Sequence, residues 1–365
     1  MRRRDADPAA AMLRDAAART ADGERWWVIG GEAPLALAIA DDHPEAEVRW
    51  LASDIRHVSA LPKNLPPRFR VDHDAATLDI EPASCDVAVL PAPPDRALSR
   101  RWLLLGSMAL REGGMLLVAG ANDHGIRSVI ADAAKVFGPA QSEDYGNRQR
   151  IGRFAQPAAG PESPAWAAEP GIAPGTWRKF TVSVSGEEIP LVTLPGVFAA
   201  SRLDAGTRML LDSLPGALPD WFSGSVLDAG CGAGVIGIAA SRLGADRADL
   251  LDSSLLAVAA ARENVAMLGI GGARVLASDV YDAVRGERYD LIVSNPPFHR
   301  GKAVDLTVAD RLIGEAPLHL NAGGSLLIVT NAFLAYGKRM DAVFREVETV
   351  AATRRYHVIR TSDPR

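Results

Sequence analysis

The chain has 365 residues, of which 48% are hydrophobic and 23% charged, and its formal net charge is −5. This length predicts two globular domains, and the negative charge argues against a protein that coats nucleic acid by long-range attraction. No apolar run reaches the ~18 residues of a membrane span, and the N-terminal stretch lacks the apolar core of a signal peptide. Cys85 and Cys231 lie in unrelated contexts, without the spacing of a disulfide framework or a metal site. We therefore expect a reduced, cytoplasmic protein that binds no metal.

In the first half of the chain, apolar segments alternate with segments of helical length. The apolar segments are WWVIGG (26–31), EVRWLASD (47–54), FRVDHD (69–74), CDVAVLPAPP (85–94) and GGMLLVAG (113–120). A helical stretch lies between the last two, at 96–111. Strands that alternate with helices predict βαβ units and a parallel sheet.

A segment rich in Pro, Ala and Gly follows at 155–175 and has no periodic pattern. Such composition is typical of a linker or of an extended covering segment. We place a first domain at 1–160, a linker at 161–176 and a second domain at 177–365. Early in the second domain, alternating residues on either side of Gly186 predict a hairpin, and a helix is expected to begin near Asp204.

The second half repeats the order of the first. Its apolar segments are SVLDAGCGAG (225–234), RADLLD (247–252), ARVLASD (273–279), YDLIVSNPPF (289–298) and GGSLLIVTN (323–331). Asp86 to Val89 matches Asp290 to Val293, and Gly113 to Leu117 matches Gly323 to Leu327. The fold class is therefore predicted as α/β, with two tandem doubly wound, Rossmann-like domains.

The first copy lacks the polar residues of the second. Pro91 stands where the second copy has Asn295, and its glycine turn is reduced to Gly30-Gly31-Glu32 with no preceding Asp. Proline has no side-chain acceptor. We therefore expect the first domain to be a degenerate copy that keeps the fold without the chemistry, in a structural or RNA-binding role.

A glycine-rich turn in the second copy predicts a cofactor loop. Its glycines allow close approach of a ligand, and the helix that follows offers unpaired N–H groups. The next strand ends at Asp252, where a ribose could be held, and the third ends at Asp279, which could accept from an adenine amino group. The candidate cofactor residues are Asp228, Gly230, Cys231, Gly232, Gly234, Asp252, Ser253, Asp279, Val280 and Asn295. By itself this loop fits S-adenosylmethionine (SAM) and a nicotinamide dinucleotide equally well, and Asp252 and Asp279 could each be only a helix N-cap.

The loop after the fourth strand distinguishes the two cofactors. The apolar run Leu291 to Val293 predicts a buried strand, and Asn295-Pro296-Pro297-Phe298 lies just past its carboxyl end, where open α/β sheets bind ligands. The prolines stiffen the loop, Asn295 supplies an acceptor, and Phe298 offers a face for stacking a base. Hydride transfer has no use for such a loop. The tetrapeptide resembles the signature of SAM-dependent methyltransferases that modify exocyclic or amide nitrogens, and these four residues are the candidate catalytic residues.

Longer segments extend this resemblance. They include LPGVFAASRLDAGTRMLLD (194–212), HLNAGGSLLIVTNAF (319–333) and RRYHVIR (354–360). With the two loops, they resemble the ribosomal RNA guanine-N2 methyltransferases over essentially all of 191–361, and the small-subunit enzymes most. That family also has a degenerate N-terminal copy of its fold, which PDRALSRRWLLLGSM (94–108) matches more weakly.

The resemblance implies a function and a set of roles. Asp228, the loop glycines, Asp252 and Asp279 would surround SAM, and Asn295 to Phe298 would hold guanine. The Asn295 carboxamide oxygen and the Pro296 carbonyl would accept the N2 hydrogens, while Phe298 would stack on a splayed base. The expected partner is ribosomal RNA, in the first place that of the small subunit, or a ribosomal subunit, and we expect the protein to act as a monomer.

Three other functions stay open at this point. A large-subunit ribosomal RNA methyltransferase would share both the loop and the duplication. A protein-glutamine methyltransferase would share the Asn-Pro-Pro loop but usually has Tyr at the position of Phe298. A non-catalytic RNA-binding assembly factor would need a broken cofactor loop or a replaced Asn295, and the second copy has neither. Basic residues that could contact RNA are His299, Arg300, Lys302, Lys338, Arg339, Arg354, Arg355 and Arg360.

Overall fold

The computed structural model describes residues 7–20, 23–73, 80–159, 162–198, 203–218, 222–296, 307–334 and 336–365. The chain divides into two compact units. The first comprises Met1–Trp177 with Leu194–Gly196, and the second Arg178–Thr193 with Val197–Arg365.

The described residues of the first unit form a seven-stranded sheet with helices. The strands are β1 (Arg25–Ile29), β2 (Glu47–Leu51), β3 (Phe69–Asp72), β4 (Cys85–Pro91), β5 (Leu110–Ala121), β6 (Ser142–Gly146) and β7 (Gln149–Ala155). The helices are α1 (Pro8–Ala17), α2 (Ala33–Asp42), α3 (Ile55–Ser59), α4 (Arg96–Ala109) and α5 (Ile126–Phe137). The strand order is β3-β2-β1-β4-β5-β7-β6, parallel except for β7 against β5 and β6.

The expected linker is ordered against this first unit. Of its residues, 162–176 are described and belong to the unit, and they include a short 3₁₀ turn at Ala165–Ala168 with Trp166 buried. The Arg101 side chain is buried beneath it and donates to the carbonyl oxygens of Gly171 at 2.9 Å and Ala173 at 3.1 Å. A buried guanidinium needs acceptors, so it stabilises the segment in one conformation.

The second unit repeats this architecture after a two-stranded hairpin. The hairpin strands are β8 (Arg178–Val184) and β9 (Glu187–Thr193), with Gly186 at φ +86° between them, as predicted. The sheet strands are β10 (Ser225–Ala229), β11 (Arg247–Asp252), β12 (Ala273–Ala277), β13 (Tyr289–Ser294), β14 (Leu320–Asn331), β15 (Phe344–Ala352) and β16 (Tyr356–Pro364). The helices among its described residues are α6 (Ala205–Ala217), α7 (Val235–Arg242), α8 (Leu255–Met267), α9 (Thr307–Glu315) and α10 (Tyr336–Asp341).

The strand order of the second sheet is β12-β11-β10-β13-β14-β16-β15, the same as in the first unit. Equivalent hydrogen bonds occur in the two units: Asp86 accepts from the backbone N–H of Arg25, the first residue of β1, and Asp290 accepts from that of Ser225, the first residue of β10. The predicted fold of two tandem doubly wound domains is therefore confirmed.

The central strands of the second sheet are buried on both faces. Along β13, Leu291 and Val293 belong to one hydrophobic cluster and Ile292 to another, because successive side chains of a strand point to opposite faces. This burial explains why the central strands appear as continuous apolar runs rather than as alternating ones.

Candidate functional site

The carboxyl ends of β10, β11 and β13 lie side by side at one edge of the second sheet. The backbone N–H groups of Gly230 and Cys231 both donate to the carbonyl oxygen of Leu251 at 2.8 Å. The Ser294 hydroxyl donates to the carbonyl oxygen of Ala229 at 2.6 Å. These bonds bring together the glycine loop, the Asp252 loop and the end of β13 just before Asn295, which are far apart in sequence.

Backbone conformation explains the glycines of the loop. Gly230, Gly232 and Gly234 all have positive φ, at +80°, +56° and +86°, where a side chain would be strained. A Cβ at Gly234 would also lie 2.9 Å from the Leu250 side chain, whereas one at Gly230 or Gly232 would meet nothing within 4 Å. Gly234 is thus needed for packing α7 on the sheet, while Gly230 and Gly232 leave open space for a ligand.

Asp252 supports the glycine loop. One carboxylate oxygen accepts from the Gly232 N–H at 2.9 Å and the other from the Ser254 N–H at 2.8 Å. Ser254, rather than Asp252, is the N-cap of α8. A carboxylate has about four lone-pair sites, so Asp252 can still accept from further donors such as ribose hydroxyls. Ser253, between them, is half-buried at the mouth of this edge.

Asp228 is deeply buried, and its side chain bonds to the protein's own backbone. Its side chain is 1% exposed, and one oxygen accepts from the Gly237 N–H in the first turn of α7 at 2.8 Å. Burial, with a smaller contribution from the charge of Asp252, raises the pKa of Asp228 to about 7. The carboxyl therefore joins β10 to α7 and reaches a ligand only through the loop that it positions.

Cys231 is equally enclosed. Burial raises the pKa of its thiol well above the ordinary value, so the sulfur stays protonated and unreactive at neutral pH. Its contribution to the site is the backbone N–H that donates to Leu251.

Asp279 and Val280 follow β12 at the same edge. The Ser278 hydroxyl donates to the Val280 carbonyl oxygen at 2.9 Å and holds Val280 at φ +51°, a conformation that is strained for a β-branched residue. Asp279 accepts a hydrogen bond from the Arg311 guanidinium of α9 at 2.8 Å. The hydrogen bond with Glu315, and the charges of Glu315 and the other acidic neighbours, raise the pKa of Arg311. One oxygen of Asp279 is thus occupied by an arginine that sequence reasoning missed.

Asn295 lies half-buried immediately after β13, and Pro296 is buried. The Asn295 amide group donates to the Thr207 hydroxyl at 2.8 Å and to the Asp204 carboxylate at 3.4 Å. Both partners belong to the start of α6, where Asp204 is the N-cap, as the sequence predicted for a helix beginning there. Among the described residues no donor bonds to the carboxamide oxygen, which is therefore the atom that could accept from a substrate.

The remaining loop residues, Pro297 and Phe298, lie outside the described residues, as do His299, Arg300 and Lys302. Their predicted roles stay predictions.

Asn264 also supports the site and was missed by sequence reasoning. It is buried on α8, where its amide donates to the carbonyl oxygens of Val192 at 2.8 Å and Ala233 at 2.9 Å and its oxygen accepts from the Val192 N–H at 2.7 Å. It thereby joins β9 and the glycine loop to α8. A lone Asn inside an apolar helix was the available signal, because a buried amide must find partners.

The equivalent edge of the first unit has a different composition. By strand register, Val28 occupies the position of Asp228, Ala52 follows β2 where Asp252 ends β11, and Pro91 stands at the position of Asn295. A Cβ at Gly30 would lie 2.2 Å from the Trp102 ring, which fills space that is open beside Gly230.

Within the described part of the chain, no group of three or more His, Cys, Asp or Glu side chains could hold a metal ion. In the same residues, no helix is long and apolar enough to cross a membrane.

Comparisons with known proteins agree with this geometry. Residues 188–360 match the family described as methyltransferase small domain. The Ribosomal RNA small subunit methyltransferase C of Chromohalobacter salexigens is 38% identical over 273 residues, which are 74% of this chain and 76% of that protein. The protein of the same name from Salmonella arizonae is 34% identical over 333 residues, or 88% of this chain and 90% of its own length.

A solved structure extends the similarity to the whole fold. The T. thermophilus 16S rRNA N2 methyltransferase RsmC, in complex with AdoMet and guanosine, superposes with a TM-score of 0.82 at 26% identity. The match covers 99% of this chain and 93% of that one. With its predicted resemblance confirmed along nearly the full length, the chain belongs to the family of the ribosomal RNA small subunit methyltransferase C enzymes.

Proposed function

We propose that this protein transfers the methyl group of SAM to the N2 amino group of one guanine in 16S ribosomal RNA. The observation that carries the proposal is the fixed orientation of Asn295. Thr207 and Asp204 bind its NH₂ group at the carboxyl edge of the sheet, so its oxygen would be the atom that accepts from a substrate. A carboxamide oxygen suits an exocyclic amino group, which is a donor.

The residues of the glycine loop fit SAM. Gly230 and Gly232 leave open space beside the backbone, Asp252 retains acceptor capacity, and one oxygen of Asp279 is bonded to Arg311 while the other can accept from an adenine amino group. Ser253 and the strained backbone at Val280 would line the same edge. SAM, when bound, supplies a methyl group already activated by its sulfonium.

The protein's own residues then orient the nucleophile. The Asn295 oxygen and the Pro296 carbonyl would accept the two N2 hydrogens, directing the nitrogen lone pair and stabilising the positive charge that develops there. Once the methyl group has left the sulfonium for N2, the cationic nitrogen is acidic enough to lose its extra proton to water, so no strong general base is needed. Phe298 would stack on a base splayed from its helix.

The first unit would serve the reaction without binding SAM. Ala52 and Pro91, at the positions of Asp252 and Asn295, have no side-chain acceptor, and Trp102 fills the space beside Gly30. We assign it a structural or RNA-binding role, and we place the enzyme as a monomer in the cytoplasm, acting on the small ribosomal subunit or its RNA. The large-subunit and glutamine alternatives are less well supported, because the extensive similarity is to small-subunit enzymes.

The proposal is tested by incubating the purified protein with SAM and small subunits from cells that lack the gene. We expect N2-methylguanine at one position of 16S RNA, detected by mass spectrometry of nuclease fragments. Asn295→Ala should slow single-turnover methyl transfer by roughly 10²–10³ and weaken SAM binding far less, and the retained SAM binding shows that the variant is folded. Methylation of protein or of large-subunit RNA alone would contradict the proposal, and a variant with unchanged chemistry would contradict the role of Asn295.

A further inference from the structure

A second surface lies at the carboxyl edge of the catalytic sheet, beside the site. It consists of Phe333, Arg354 and Arg355 and is named here the Phe–Arg surface. The chain leaves β14 at Asn331, which pairs with Tyr356, and the next N–H, of Ala332, donates to the Arg355 carbonyl oxygen at 2.9 Å. This antiparallel register places Phe333 next to the turn that carries both arginines.

The composition of this surface is unusual for a region without a partner. Phe333 is 69% exposed, the most exposed of the large hydrophobic side chains among the described residues. Arg354 and Arg355 are exposed, and neither side chain pairs with a carboxylate anywhere in the described part of the chain. By contrast, Arg345 at the other end of the β15–β16 hairpin pairs with Asp363 at 2.9 Å.

The turn that presents the arginines is well ordered by its own hydrogen bonds. The Thr353 N–H donates to the Tyr356 carbonyl oxygen at 2.8 Å, and the Thr353 hydroxyl accepts from the N–H groups of Arg355 at 3.3 Å and Tyr356 at 3.0 Å. Less conformational freedom of the backbone is lost when such a turn binds a ligand.

Tyr356, which follows Arg355, contacts the helix start that positions Asn295. A Cβ at Gly206 would lie 3.3 Å from the Tyr356 ring, so that ring packs on the first turn of α6. The same turn carries Thr207, which holds Asn295. Since Tyr356 directly follows Arg355, the Phe–Arg surface lies near the position where the target guanine would bind.

We propose that the Phe–Arg surface binds the ribosomal RNA strand next to the target guanine, with a base stacked on Phe333 and backbone phosphates held by Arg354 and Arg355. This inference rests on the proposed function. An exposed aromatic ring beside unpaired guanidiniums is the combination that single-stranded nucleic acid recognises. Since the net charge of the chain is −5, attraction to RNA must come from such local clusters.

The test compares RNA binding by full-length variants, using small subunits from cells that lack the gene and measuring over a range of salt concentrations. Phe333→Ala should weaken binding about 5- to 150-fold. Arg354→Ala with Arg355→Ala should weaken binding at least about 10-fold and lower the salt dependence of log K by about 1.4, at roughly 0.7 for each phosphate.

Matched controls lie at the opposite edge of the same sheet. Leu318→Ala removes a side chain that is 64% exposed just before β14 begins. Arg345→Ala with Arg365→Ala removes two exposed positive charges near the far end of the β15–β16 hairpin. Neither control should change RNA affinity, and SAM affinity should be unchanged in all variants.

Each outcome supports or overturns the inference. Unchanged RNA affinity in the Phe–Arg variants, or equal weakening in the controls, overturns it. If a synthetic acidic peptide binds the wild-type protein but not the Phe–Arg variants, and these variants bind RNA normally, the partner is a protein and the inference is wrong. The binding measurement needs no turnover, so a wild-type protein that binds RNA through this surface but does not methylate guanine would refute the proposed function alone.

Discussion

At the scale of single residues, burial changes the role of a motif residue. Asp228 has the position expected of a cofactor-binding carboxylate, yet it is enclosed between β10 and α7 and accepts from the Gly237 N–H. Desolvation penalises the ionised carboxylate there. Its effect on the site therefore comes through the position of the glycine loop, and its protonation should be visible in the stability of the protein.

Asp228→Asn should make stability less dependent on pH. The folded-state pKa of Asp228, about 7, is raised above the ordinary value of 3.8. The folded protein thus holds this proton more tightly, and the contribution of Asp228 to stability falls as pH rises between these two values. Asn keeps an acceptor for Gly237 but does not titrate. The free energy of unfolding of Asp228→Asn minus that of the wild type should therefore rise by about 2–3 kcal/mol from about pH 5 to about pH 7, and then level off.

Urea unfolding at several pH values measures this difference. A difference that does not vary with pH would mean that the folded-state pKa of Asp228 is not raised, contrary to its burial.

At the scale of secondary-structure elements, the start of α6 positions Asn295, the proposed catalytic residue. Asp204 caps the helix by accepting from the N–H groups of Gly206 at 2.8 Å and Thr207 at 3.2 Å. The same turn presents the Thr207 hydroxyl to Asn295. A helix N-terminus thus fixes the orientation of a side chain from a strand end far away in sequence.

Replacing Thr207 tests this orientation. Thr207→Val keeps the shape of the side chain but removes the acceptor for the Asn295 amide, so the carboxamide loses its fixed orientation. Methyl transfer in a single turnover should slow by up to about 10-fold, the value of one hydrogen bond of 0.5–1.5 kcal/mol. SAM and RNA affinities should not change.

Thr207→Ser is the matched control, because it restores the hydroxyl and should restore the rate. If Ser were as slow as Val, packing rather than orientation of Asn295 would explain the loss.

At the scale of the whole molecule, two copies of one fold have different surfaces at the same edge. The strand orders are the same, and the backbone N–H of Gly30 bonds to Leu51 as that of Gly230 bonds to Leu251. What differs is the side chains: Ala52 stands at the position of Asp252, and Trp102 covers Gly30. A fold depends on its buried apolar residues, so a copy can keep its core after losing its polar site.

The full-length protein should therefore bind one SAM molecule per chain in calorimetric titration. Asp252→Ala should weaken that binding by about 1–3 kcal/mol, as for a hydrogen bond to a charged group, without revealing a second site. Two molecules per chain would contradict the assignment of the first unit as degenerate.

The architecture follows from local patterns in the sequence. Apolar runs ending at turn residues place the strands, and the repeated order of these runs predicts two doubly wound domains, which the structure confirms. The glycine turn and the Asn-Pro-Pro-Phe loop are equally local. The turn is recognised by its glycines, because glycine readily adopts the positive φ that the turn requires.

The tertiary structure decided which groups these motifs contact. Thr207 and Asn295 are 88 positions apart, Asn264 and Val192 are 72 apart, and Arg311 and Asp279 are 32 apart. No periodicity relates such pairs, because each contact depends on how whole helices pack on the sheet. For the same reason, only the fold could show that Asp228 is buried and that Arg355 lies beside Phe333. The sequence by itself determined the elements and the chemistry available, whereas packing between distant segments determined which side chains face a ligand and which support those that do.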